Sequence, residues 1–77
     1  MDSEMLMETR AWVIDKDNKI LILFAEIIEF LSKDYKGPKT HVLLKYYIGG
    51  DDTKEENKIL EIFPIDRCYF SEIVVPR

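Results

Sequence analysis

The 77-residue sequence predicts an all-β fold, a small five-stranded barrel with a short helical turn before its last strand. Three observations predict it. Segments rich in β-branched and aromatic residues recur along the chain, each closed by turn residues. The segment THVLLKYYI, Thr40 to Ile48, alternates with the period of a strand. A sheet this small exposes its edges unless it rolls up. The rival layout is α+β: a hairpin, one helix at about 25–35 and a second hairpin (ββαββ).

Met1 to Glu8 reads as a flexible leader, and residues 9–77 as one small domain. Thr9 to Ile14, TRAWVI, is the first strand. Asp15 to Lys19 is a turn, with Asp17-Asn18 suited to the left-handed backbone of a tight hairpin. Ile20 to Ser32 admits two readings. As a strand it places Ile20, Ile22 and Phe24 on one face; as a helix it stacks Phe24, Ile27, Ile28, Leu31 and Tyr35 on one stripe. Residue type favours the strand, and no good N-cap precedes Ala25. Gly37-Pro38 marks a loop. In the next strand Val42, Leu44, Tyr46 and Ile48 share one face, with Leu43, Lys45 and Tyr47 on the more exposed one. Gly49 to Asn57 is a polar connection, and Lys58 to Phe63 is a strand ended by Pro64. Asp66 to Phe70 reads as a helical turn capped by Asp66, leading to a last strand over Glu72 to Val75.

Composition narrows the function classes. A chain this short has a thin core and little room for a catalytic cleft. The net charge is −4, which disfavours nucleic acid and suits a basic partner. The one basic patch is Lys33, Lys36 and Lys39 around Tyr35. The single cysteine, Cys68, allows no disulfide within the chain and points to a reducing, intracellular setting. The first residues lack the basic start of a signal peptide, and the longest apolar run, Ile20 to Ala25, is too short to span a membrane. His41 and Cys68 lack the spacing and company of a metal site or a catalytic pair. Asp51, Asp52, Glu55 and Glu56 lack the regular spacing and central glycine of a calcium loop. No cofactor, no metal and no enzymatic activity are expected.

RAWVIDKDNKILILFAEIIEF, followed by HVLLKYYIGGDD and closed by CYFSEIVVP, resembles a Tudor or chromo-barrel domain, of the SH3-like barrel type. The resemblance covers roughly Thr9 to Pro76 and rests on apolar patterning and turns. It implies a nuclear, chromatin-type reader that holds a basic peptide or histone tail, methylated or not, with aromatic rings around the cation and an acidic rim. Carried over by position, Tyr46 or Tyr47 supplies the third-strand aromatic, and Leu23 or Phe24 stands late in the first hairpin. Ile14 and Gly50 stand where the family carries aromatics. The candidate ligand-binding residues are therefore Trp12, Tyr46, Tyr47 and Asp51, with Asp52 beside them on the rim. Adjacent tyrosines on a strand face opposite ways, so one of Tyr46 and Tyr47 is forced toward the core. The alternative function is a structural or assembly subunit, or a small inhibitor, that pairs an exposed strand with a larger partner. The sequence leaves the oligomeric state open.

Overall fold

The computed structural model describes residues 5–76. The chain is all-β. Its strands are β1 (Met5–Ile14), β2 (Ile20–Ser32), β3 (Lys39–Tyr47), β4 (Lys58–Pro64) and β5 (Cys68–Pro76), joined in one antiparallel sheet of order β4-β3-β2-β1-β5. A 3-10 turn over Ile65–Arg67 precedes β5. This order, with that turn, is the layout of an SH3-like barrel. Among the described residues no ladder joins β4 to β5, so the roll is not closed by strand pairing.

β2 makes the roll possible. Its first half pairs with β1 and its second half with β3. Ala11 sits opposite Ala25 and Val13 opposite Ile22, so Leu23 and Phe24 together face the single residue Trp12. Leu21 is a second extra residue, between the Val13–Ile22 and Ile14–Ile20 pairs, and Ile28 a third, against β3. Each extra residue is a β-bulge, which bends its strand and increases its twist. A thirteen-residue strand with three bulges curls far enough to serve two partners. The helix considered for residues 25–35 is absent: residues 25–32 are strand.

The core is small. Ala11, Val13, Ala25, Val42 and Leu44 are buried, with Ile22, Ile27, Tyr46, Phe63, Ile65 and Cys68 packed against them. The bulges reset the alternation of β2: Ile22, Ala25 and Ile27 point inward, where unbroken alternation aligns Ile22 with Phe24. Two alanines opposite each other let the backbones bend closely where β2 crosses β1.

Other boundaries differ from the sequence reading. β1 begins at Met5, because residues 5–8 pair with Ile73–Pro76, so a strand occupies half of the expected leader; residues 1–4 lie outside the described residues. β5 is correspondingly longer, from Cys68. The helical turn starts at Ile65, and Pro64, not Asp66, stands at its N-cap with no side-chain capping bond. In the first hairpin only Asn18 takes the left-handed backbone, at φ 63°. The Asp15 carboxylate fixes that turn by accepting the N–H groups of Asp17 and Lys19, at 2.8 and 2.9 Å. No helix among the described residues is long and apolar enough to cross a membrane.

Candidate functional site: a cleft between β2 and the turn after β3

β2 and β3 pair only from Glu26–Lys45 onward. Before that point the first half of β2 follows β1, while β3 runs on to Tyr47 and into a 3-10 turn over Ile48–Gly50. The two strands diverge and leave a cleft of about 830 Å³. This lies within the range of roughly 300–1,000 Å³ usual for ligand pockets. Leu21, Leu23 and Phe24 form one wall; Tyr46, Tyr47 and Ile48 form the other. Glu26, Lys45, Arg10 and Asp52 add charge around them. Leu21 and Ile48 are 59% and 57% exposed, so the walls offer apolar surface to solvent.

Backbone geometry shapes both walls. Phe24 adopts φ 53°, a region that bulky residues rarely enter. Its carbonyl accepts a long bond from Arg10 Nη1, at 3.4 Å. Its ring meets Trp12 edge-on, with centroids 4.8 Å apart. On the opposite wall Gly49 and Gly50 take φ of 75° and 76°, which side chains disfavour, and turn the chain sharply after Tyr47.

The candidate residues divide among these surroundings. Tyr46 points toward the core face, near Phe63, and its phenol donates to Glu61 Oε1 at 2.6 Å. That hydrogen bond first, then burial and the charge of Glu61, push the Tyr46 pKa up to about 12. Tyr47 faces the other way; Tyr46 packs against the core as expected of one of the pair, but both tyrosines line the cleft, so the cleft does not take only one of them. Trp12 lies between the buried Ala11 and Val13 on the outer face of β1, so it supports Phe24 from behind and does not line the cleft. Its Nε1 is buried and has no acceptor among the described residues. Asp51 turns toward Thr53, whose hydroxyl and N–H both donate to its carboxylate, and these bonds hold its pKa below the ordinary value. Asp52, its neighbour, lines the cleft.

Three charged residues of the cleft escape a sequence reading. Arg10 pairs with Glu8 at 2.7 Å, and Lys45 with Glu26 at 3.2 Å. Glu26 and Lys45 meet because they are cross-strand partners, and Arg10 faces Glu26 on the other side. Nothing in their spacing reveals this without the register of β2, which the bulges set.

Elsewhere the titratable groups are engaged locally. The Cys68 thiol lies 3.5 Å from the Pro64 carbonyl, and burial, then the charge of Asp66, pushes its pKa up, away from a reactive thiolate. His41 Nδ1 lies 2.7 Å from Thr40 Oγ1. Among the described residues no three of His, Cys, Asp and Glu gather as a metal site would require. Comparison of the chain with protein-family models, with curated proteins and with solved structures finds no match.

Proposed function

We propose that this chain is a protein-interaction module that takes a basic peptide in the cleft between β2 and the turn after β3. One observation carries the reading: an open cleft whose walls combine exposed apolar and aromatic side chains, with Asp52 on its rim. The net charge of −4 favours a basic ligand. A lysine stem would lie along Leu21, Leu23 and Ile48, with its ammonium near the Phe24 and Tyr47 rings and Asp52. The resemblance to Tudor and chromo-barrel domains extends the proposal to methylated lysine on histone tails, and hence to the nucleus. The module binds and does no chemistry on its ligand.

The test is a titration of the chain with lysine-rich peptides, unmethylated and trimethylated, followed by Trp12 fluorescence. Because the Trp12 ring abuts Phe24, filling the cleft should change its emission. Tyr47→Ala should weaken binding by about tenfold, the loss of one well-placed aromatic contact. An unchanged spectrum up to about 1 mM peptide would reject the reading.

A second reading rests on a different observation. Among the described residues β4 and β5 each have one unpaired edge, and Leu60 and Ile62 on β4 are more than half exposed. Such edges suit strand pairing with a larger partner, as in an assembly subunit or small inhibitor. Protection of the β4 or β5 amides from hydrogen exchange on mixing with such a partner, with the cleft unaffected, would favour it.

A further inference from the structure

The two ends of β3 carry opposite charge. At its start the loop Lys33–Pro38 and the first residue Lys39 hold Lys33, Lys36 and Lys39 against Asp34, three cations less one anion, or +2. Beyond its end Asp51, Asp52, Glu55 and Glu56 stand against Lys54 and Lys58, four anions less two cations, or −2. Nine strand residues separate the two ends by roughly 27 Å at about 3.3 Å per residue. The cleft opens at the acidic end; its lining sets Glu26 and Asp52 against Arg10 and Lys45, so the excess of negative charge lies on the turn beside the cleft.

The basic loop is built as a ligand would be. Tyr35 at its tip is 93% exposed, the most exposed large apolar side chain of the chain's described residues. The Lys36 ammonium lies 5.8 Å from the Tyr35 ring centroid. The tip is fixed rather than loose: Gly37 N–H donates to the Asp34 carbonyl at 2.9 Å, and the Ser32 hydroxyl donates to the Gly37 carbonyl at 2.8 Å. A pre-ordered loop loses little entropy on docking, and tyrosine is among the residues enriched at interfaces.

We infer that the cleft of one molecule receives the Tyr35–Lys36 loop of a second copy, giving head-to-tail self-association. The inference rests on the proposed reading of the cleft and names its occupant. The two surfaces are different and lie at opposite ends of β3, so the contact is heterologous, and it propagates into rings or chains unless capped.

The experiment is sedimentation equilibrium on the full chain, with Lys33→Glu/Lys36→Glu and Asp52→Lys/Glu56→Lys variants, at about 50 mM and about 500 mM salt. All substituted residues are exposed, and circular dichroism checks the fold of each variant. The wild type should associate with a dissociation constant that rises about tenfold or more with salt, as screening predicts. Each double variant alone should be monomeric. Their mixture should form mixed complexes, because one retains the intact cleft and the other the intact loop. A monomeric wild type at low salt, or association that survives either charge reversal, would overturn the inference. Titrating a free lysine peptide into the loop-reversed variant separates the two proposals. Peptide binding without wild-type self-association overturns the self-docking alone, whereas failure of both overturns both.

Discussion

Phe24 meets two demands with one residue. Its left-handed backbone costs roughly 1–2 kcal/mol, yet it turns the ring of a bulged residue into the cleft wall and onto Trp12. Asparagine tolerates that backbone far better. Phe24→Asn should therefore leave the melting temperature near that of the wild type, strain relief offsetting the loss of a half-exposed ring, while peptide affinity falls by about tenfold. A melting curve and a titration on the same variant check both halves. Trp12 invites the opposite experiment. Trp12→Phe keeps an aromatic ring against Phe24 and removes a buried N–H that has no acceptor among the described residues, whose burial costs about 1–3 kcal/mol; denaturant unfolding should show equal or greater stability.

Tyr46 gives a pH signature at the same scale. Its pKa is raised from 10.0 to about 12, chiefly by the bond it donates to Glu61. A raised folded-state value means that the bond's contribution is complete below pH 10 and is lost as pH rises through about 12. Phenolate absorbance should show one late-titrating tyrosine, and Glu61→Gln should bring it down toward the ordinary range.

At the scale of elements, β2 explains most of what was and was not legible. The alternation of β3 gave its faces directly: Val42 and Leu44 are buried, and Tyr46 follows them inward. Ile48 does not, because the chain leaves the strand at Tyr47 and Ile48 is exposed in the 3-10 turn. In β2 the extra residues at Leu23/Phe24 and Ile28 break the period of two. The resulting spacing of Phe24, Ile27, Ile28 and Leu31 imitates a helical stripe. Residue type pointed correctly to a strand, but no local pattern fixes where a bulge falls, since register depends on partners distant in the chain. The cleft inherits that limit. Tyr47 and Asp52 were visible as candidates, whereas Arg10, Glu26 and Lys45 join them only through cross-strand register. Trp12 is aromatic like the other candidates, but its place between the buried Ala11 and Val13 puts it on the opposite face of β1. The turn that ends β3 is testable in the same terms. A methyl group at Gly49 or Gly50 meets no neighbour within 4 Å, so Gly49→Ala should destabilise the fold by roughly 1–2 kcal/mol through backbone conformation alone.

For the whole molecule, the core is the constraint. Among the described residues five are buried, two of them alanine, in a rolled sheet whose β4 and β5 edges remain unpaired. Val42 and Leu44 are wholly buried at its centre on β3. Leu44→Ala should cost about 2–5 kcal/mol, enough to abolish the cooperative thermal transition of a domain with so little in reserve. The apolar surface left outside is concentrated in part on the cleft walls, where Leu21, Leu23, Phe24 and Ile48 are all exposed. That distribution is the physical reason to read the molecule as a binder: side chains that the core cannot hide line a cavity of ligand size.

The most direct measurement is an amide chemical-shift map of the isotopically labelled chain as a trimethyl-lysine peptide is added. Binding in the cleft predicts that perturbations gather on Leu21–Glu26 and Tyr46–Asp52 and vanish in Tyr47→Ala. Shifts confined to β4 and β5, or none, would contradict it.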